Sequence, residues 1–417
     1  MTDEQEIRLS VAIMHHPSRG HRIPALRASC APLRARVVTD PDPGGLPSPL
    51  RTAKHAWAAI EEGASHHLVL QDDVVLTDGF AARLADAVAE RPMHALALYS
   101  NWNSPQNSYL VRRAAAVGSP WAPLSPDEWT PTMGLVMPTE HARDLAKYLA
   151  ELPDDVRDDD EMVAAFCRER GIRVVATVPH LVDHTEAPTI AGHPGSFHAT
   201  VLPPDDDPPS GRAHWAAAPG AEEALARRAA HQGVRDFVLE LTDSRCRIRF
   251  VRPGSAEPVE HPYGWYWYDW APLIGVVPDA VLGLCEAYLR TEGGRRTTLP
   301  LAREGTEMEV LTEVWAAGYL LGHDAETTGV GGQSGHTAGE HGRDRERGRE
   351  PGRDPAWDAR THETLLRGVL ASWVDSGLLA EDRTALSAAA RTALVDLAME
   401  ALPRGRAAGR ERPHAGR

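Results

Sequence analysis

The chain has 417 residues, 42% of them hydrophobic and 25% charged, with a formal charge of −15. That apolar content suffices for globular cores and excludes a wholly disordered chain, and at roughly 100–200 residues per domain the length predicts two domains. The 59 acidic residues against 44 basic ones disfavour a nucleic-acid-binding face, which needs a positive field over its whole footprint. Anionic small molecules stay open, because a local cluster can overcome the global sign. Lys54 and Lys147 are the only lysines, so any phosphate contact falls to Arg, His, backbone N–H groups or a metal.

The opening MTDEQEIRLS is polar and acid-leaning and lacks the basic and apolar regions of a secretory signal, so a cytoplasmic protein is expected. No stretch reaches the roughly 20 unbroken apolar residues of a transmembrane segment. The best candidate, Leu273 to Cys285, is interrupted by Pro278 and Asp279. Cys30, Cys167, Cys246 and Cys285 are far apart and form no CxxC pair, which predicts buried free thiols.

In chain order, Leu9 to Met14 is an apolar run ending at His15-His16-Pro17, and Arg36 to Thr39 ends at Asp40-Pro41; both read as buried strands. Leu50 to Glu62 carries Ala53, Ala56, Ala59 and Ile60 at helical spacing, with Gly63 as its expected C-cap. His67 to Leu70 reads as a strand delivering Gln71-Asp72-Asp73 at its carboxyl end. Phe80, Leu84 and Val88 mark a helix, as do Leu145, Tyr148 and Leu149, and then Met162, Val163 and Phe166; Ile172 to Val178 is β-rich. Such alternation predicts an α/β layer with a largely parallel sheet, in which ligands sit at strand carboxyl ends.

The chemistry concentrates at Asp72-Asp73. Two adjacent acids between apolar runs are costly unless something balances their charge. A divalent metal does so, and oxygen ligands suit Mg²⁺ or Mn²⁺ with positions left open for substrate phosphates. The other reading is a turn whose carboxylates accept backbone hydrogen bonds, with the next helix capped at Thr77 or Asp78. GxxxxGK[ST], GxGxxG between strand and helix, HExxH and GxSxG are absent from the sequence.

Residues 7–200 resemble the GT-A glycosyltransferases, in particular the small bacterial and phage-type members related to families two and twenty-five. The resemblance rests on His16-Pro17-Ser18-Arg19, Val37-Val38-Thr39-Asp40, the strand end His66 to Val74, Thr132-Met133-Gly134 with Pro138-Thr139, Asp159-Asp160-Glu161, and Pro179 to His184. The sequence departs from the family's Asp-x-Asp pattern in having Gln-Asp-Asp. The resemblance implies a GT-A-like, Rossmann-like sheet with flanking helices and a metal-dependent transfer of sugar from a nucleotide-diphosphate donor to an unknown acceptor hydroxyl on a glycan, natural product or protein. It implies Pro17, Ser18 and Arg19 beside the base or phosphates, and Asp40 on the base or ribose. Asp73 would hold Mn²⁺ or Mg²⁺, with Asp72 on the ribose or metal and His184 as a distant second metal ligand. Arg51 or Lys54 would assist with the diphosphate, and, if the transfer inverts the anomeric centre, Asp160 first, or else Asp159 or Glu161, would deprotonate the acceptor.

Each assignment competes with a plainer role: a loop arginine, a structural histidine, and acids favoured at a helix start by the macrodipole. Of Trp102, Trp121 and Trp129, at least one is expected at the acceptor site, stacking on a sugar. A second overall reading is a non-catalytic sugar-nucleotide-binding or scaffold protein with a degenerate transferase domain.

The remainder divides by composition. Residues 203–219 read as a Pro/Asp-rich linker and 323–357 as a disordered insert, its centre nearly devoid of large apolar residues. Residues 404–417 read as a basic flexible tail. Residues 220–322 and 358–403 are expected to form one C-terminal accessory domain, α+β or mostly helical. Its features are a strand pair over Phe237 to Leu241 and Cys246 to Val251, the aromatic run His261 to Trp270, and helices over Val281–Leu289, Met308–Leu321, Leu365–Trp373 and Leu386–Leu397. The aromatic run reads either as a carbohydrate or partner platform or as a core nucleus.

Overall fold

The computed structural model describes residues 7–153, 156–185, 189–190, 192, 196–204, 211–216, 237–252, 259–327 and 355–411. Most of the expected linker, the centre of the expected insert and the last six residues of the expected tail lie outside these.

The first half is an α/β layer. Its strands are β1 (Leu9–His15), β2 (Ala35–Thr39), β3 (His66–Gln71), β4 (Val74–Leu76), β5 (Ala95–Ala97), β6 (Trp121–Pro123), β7 (Gly134–Pro138), β8 (Val174–Thr177) and β9 (Val182–His184). Seven of them form one sheet in the order β2-β1-β3-β7-β5-β8-β6, in which only β7 and β6 run against the rest. The sheet is thus mostly parallel in strand direction and mixed in pairing. β1 and β3 are buried along nearly their whole length, as strands covered on both faces must be. Flanking helices are α1 (Ile23–Ser29), α2 (Pro49–Ala58), α3 (Phe80–Glu90), α4 (Asn107–Ala116), α5 (Thr139–Glu151) and α6 (Asp159–Arg170).

The helix expected to run from Leu50 to Glu62 stops at Ala58, well short of Gly63. His67, buried on β3, donates from Nε2 to the Ala56 carbonyl at 2.9 Å, and the Glu61 N–H goes to Ser10 Oγ at 3.0 Å. The terminal turn is therefore tied to the sheet instead of continuing to the glycine. The helix α3 is capped by Gly79 in a left-handed conformation, not by Thr77 or Asp78.

In the second half, β10 (Phe237–Thr242) and β11 (Arg245–Phe250) pair antiparallel as expected. Asp243 and Ser244 both have positive φ, 53° and 58°, as a two-residue hairpin turn requires. Helices follow at Trp267–Trp270, Pro278–Arg290, Glu292–Arg303, Met308–Thr327, Pro355–Gly377, Ala380–Ala385 and Ala388–Arg410. The aromatic run contributes Trp265 and Trp267 to the core, while Tyr263 is 89% exposed.

Two boundaries need correction. Residues 323–327 and 355–357, expected in the insert, are helical, and His323, Asp324 and Ala325 are buried. Residues 404–410, expected as a loose tail, extend the last helix through Pro403. The reason is packing. Ala398, Ala401, Leu402 and Gly405 are buried against the 308–327 helix, where Gly318 and Gly322 allow backbone-to-backbone approach. This core also takes in Tyr109 and Ala116 of α4, and Arg113 of α4 pairs with Asp324 at 3.3 Å. The four cysteines are free and buried. Among the described residues no single helix is long and apolar enough to cross a membrane.

Candidate functional site

At the carboxyl ends of β1, β2 and β3 lies a cleft of about 430 Å³. Asp72 and Asp73 form the two-residue turn that carries the chain from β3 in the main sheet to β4 in a small second sheet. There β4 pairs antiparallel with β9, opposing Val74 to His184. This pairing sets His184 Nε2 3.2 Å from Asp73 Oδ2, across 111 residues of sequence.

The acid pair is surrounded by donors. Asp72 Oδ2 accepts from the His16 backbone N–H at 2.7 Å and from His15 Nδ1 at 3.2 Å. A single guanidinium nitrogen, NH1 of Arg19, donates to Asp72 Oδ1 at 3.0 Å and to Asp73 Oδ2 at 2.7 Å. Burial pushes the Asp73 carboxyl upward, but the His184 hydrogen bond and the charges of Arg19 and His184 outweigh it and hold it below the usual range. Asp73 Oδ1 is buried and has no hydrogen-bond partner.

Asp40, at the end of β2, is gripped by Arg51 through Nε at 2.7 Å and NH2 at 2.8 Å. Its carboxyl is held low mainly by that hydrogen bond. Ser48 caps α2 by accepting from the Arg51 N–H at 3.2 Å, with Pro49 preset for the first turn, and so aims Arg51 at Asp40.

In the same cleft, α6 begins with Asp159, Asp160 and Glu161, and all three line it. Asp159 is 3% exposed. Burial first, then the neighbouring Asp160 charge, pushes its carboxyl up to about 7, against a lowering hydrogen bond with Thr132. Asp159 Oδ2 has no partner. Burial likewise raises Asp160 to about 6, although its Oδ1 accepts from the Glu161 N–H at 2.9 Å. Carboxyls poised between 6 and 7 can take a proton near neutral pH.

Of the residues singled out from the sequence, Arg19, Asp40, Asp72, Asp73, Asp159, Asp160 and His184 all line this one cleft. Pro17 and Ser18 do not, because they sit exposed in the 3-10 turn whose role is to carry Arg19 inward. Arg51 is engaged with Asp40 and the carbonyls of Asp42 and Leu46 and lies outside the lining. Lys54 donates to the Leu152 carbonyl at 2.6 Å, away from the acid pair. Of the three tryptophans, Trp129 lines the cleft; Trp121 is wholly buried against Trp215, and Trp102 stacks edge-on against His198.

Tyr99, Asn101 and Phe197 also line the cleft and were not anticipated. Tyr99 Oη donates to the Phe197 carbonyl, and burial pushes the phenol well above its ordinary value. Its one sequence signal was the apolar run Ala95 to Leu98, too alanine-rich to stand out as a strand.

Among the described residues no group of three or more His, Cys, Asp or Glu side chains is arranged to hold a metal ion. The Arg19 guanidinium stands between the two carboxylates. The donor set nevertheless suits a hard divalent cation: two carboxylates, one with a buried unsatisfied oxygen, and an imidazole. The His184 ring donates to Asp73 through Nε2; moving that hydrogen to Nδ1 leaves a lone pair on Nε2 for a metal.

No protein-family model matches the chain, and no curated protein matches it significantly.

Proposed function

We propose that the chain is a GT-A-type glycosyltransferase that moves a sugar from a nucleotide-diphosphate donor to an acceptor hydroxyl. The observation that carries this reading is the convergence of Arg19, Asp40, Asp73, His184, Asp159 and Asp160 on one cleft at the strand carboxyl ends. The mostly parallel sheet and the corner at Asp72-Asp73 are compatible with it.

In this reading Asp40, oriented by Arg51, accepts from the ribose hydroxyls or the base of the donor. Asp73 and His184, with Asp72 beside them, hold Mn²⁺ or Mg²⁺; bound there, the ion supplies Lewis-acid stabilisation of the charge that develops on the leaving diphosphate. The face of Trp129 packs on a sugar ring. From the start of α6, Asp160 or Asp159 takes the acceptor's hydroxyl proton as the new C–O bond forms and the anomeric bond to the diphosphate breaks. The carboxylate ends the step protonated, and the nucleoside diphosphate leaves as an anion.

The test is incubation of the purified protein with a panel of nucleotide sugars and Mn²⁺, with and without EDTA. Binding or turnover that EDTA abolishes is expected. Absence of both binding and turnover with every nucleotide sugar overturns the proposal.

A further inference from the structure

We infer that Arg19 is an exchangeable counter-cation: it neutralises the Asp72–Asp73 pair in the metal-free protein and competes with a divalent ion for the same two carboxylate oxygens. The inference rests on the metal reading above and concerns this chain's own residue.

The geometry is specific. One nitrogen, Arg19 NH1, lies within hydrogen-bond distance of both Asp72 Oδ1 and Asp73 Oδ2, at 3.0 and 2.7 Å. The two oxygens therefore converge on a point where one cation touches both. Magnesium–oxygen bonds are roughly 2.0–2.1 Å long, so an ion replacing the nitrogen draws each carboxylate in by less than roughly 1 Å. A guanidinium and a metal ion cannot share that point, because they need the same oxygens and repel each other.

Charge makes one occupant obligatory. Asp72 and Asp73 are each 4% exposed, and two adjacent buried carboxylates are strongly unfavourable without a cation. His16 N–H and His15 assist Asp72, and His184 assists Asp73, but among the described residues Arg19 alone bridges the two. Its side chain is 12% exposed and borders the cleft, carried on the short turn Pro17–Arg19 and not on a strand. Once an ion takes the two oxygens, the guanidinium remains beside the cleft as a cation suited to the donor's diphosphate.

The experiment is Mn²⁺ titration of the full chain without nucleotide, by calorimetry and by loss of the free-ion paramagnetic resonance signal. Arg19→Gln is expected to bind Mn²⁺ about tenfold tighter than the wild type. Arg19→Lys keeps the charge and a single donor nitrogen on a shorter side chain, so it reaches the two oxygens less well; it is expected to fold normally and bind several-fold tighter. In thermal melts Arg19→Gln should be less stable than the wild type without metal, and Mn²⁺ should restore it. If the wild type binds Mn²⁺ and neither variant binds tighter, the competition is wrong while the metal reading stands. If none of the three proteins binds Mn²⁺, both fall.

Discussion

His184 Nε2 reaches Asp73 Oδ2 at 3.2 Å only because β9 pairs with β4, the strand that begins directly after Asp73. A three-residue pairing thus sets the position of the distal imidazole. Both residues are 4% exposed, so the contact is made largely out of reach of bulk water.

The metal reading therefore makes both residues necessary. Asp73→Asn removes a charged ligand, and His184→Ala removes the imidazole that orients the carboxylate; each should weaken Mn²⁺ binding by at least roughly tenfold, the lower range for loss of a supporting partner. Calorimetric titration of the two variants checks this, and wild-type affinity in either removes that residue from the site.

Asp159 yields a prediction in which activity and stability move in opposite directions. Its carboxyl is raised by burial from 3.8 to about 7 in the folded protein. Between those values the folded state holds the proton more tightly than the unfolded chain, so this group makes stability fall as pH rises from about 4 to 7. Asp159→Asn removes that penalty, for which about 4 kcal/mol is an upper bound. The variant's Tm should match the wild type below pH 4 and exceed it by several degrees at pH 8. Transfer activity of Asp160→Asn or Asp159→Asn should fall by roughly 10²–10⁴-fold where the substituted carboxyl is the base. In the wild type, kcat/KM should rise with pH through 6 to 7. A Tm difference independent of pH would contradict the burial argument.

What could be read from the sequence follows from how local each signal is. β1, β3 and the acid pair were legible because buried strands read as continuous apolar runs, and two carboxylates at such a run's end are conspicuous. β5 and β7 were not: Ala95 to Ala97 is three residues and alanine-rich, Gly134 to Pro138 is five residues bounded by Gly and Pro, and their place in the sheet comes from pairing with neighbours. The helix Glu292–Arg303 was hidden by Gly293, Gly294 and Pro300. The residues of the candidate site could be named one by one, but not their grouping. That Arg19 bridges Asp72 and Asp73, or that Arg51 forks onto Asp40, depends on contacts between separate strand ends.

The Arg51–Asp40 fork sets a further expectation. Because the folded-state carboxyl is held low chiefly by the Arg51 hydrogen bond, the pair stabilises the protein above the unfolded pKa near 4, and that contribution is lost as pH falls through the lower folded value. Arg51→Ala should cost about 1–2 kcal/mol at pH 7, the scale of a charged hydrogen bond discounted for solvent access, and less at pH 2–3. Urea unfolding at the two pH values measures this. Since Asp40 lines the cleft and Arg51 does not, the same variant should raise KM for the donor more than it lowers kcat.

The packing of the last helix supplies a test independent of any activity. A Cβ on Gly322 would stand 2.0 Å from the Leu402 carbonyl oxygen, and one on Gly405 would stand 1.9 Å from that of Tyr319. Both obstacles are backbone atoms of a facing helix, so no side chain can turn aside, and the two helices must separate. Gly322→Ala should therefore destabilise by about 1–3 kcal/mol, the usual cost of overpacking, despite alanine's better helix propensity. Gly283, in the helix Pro278–Arg290, is the control, because a Cβ there would meet no atom within 4 Å. Gly283→Ala should be neutral or stabilise by up to about 1 kcal/mol. Gly322→Ala and Gly405→Ala act on the same interface, so their combined effect should fall short of the sum. Equal melting temperatures for Gly322→Ala and Gly283→Ala would mean that the 308–327 and 388–410 helices are not in contact, and that residues 404–410 are the loose tail their composition suggests.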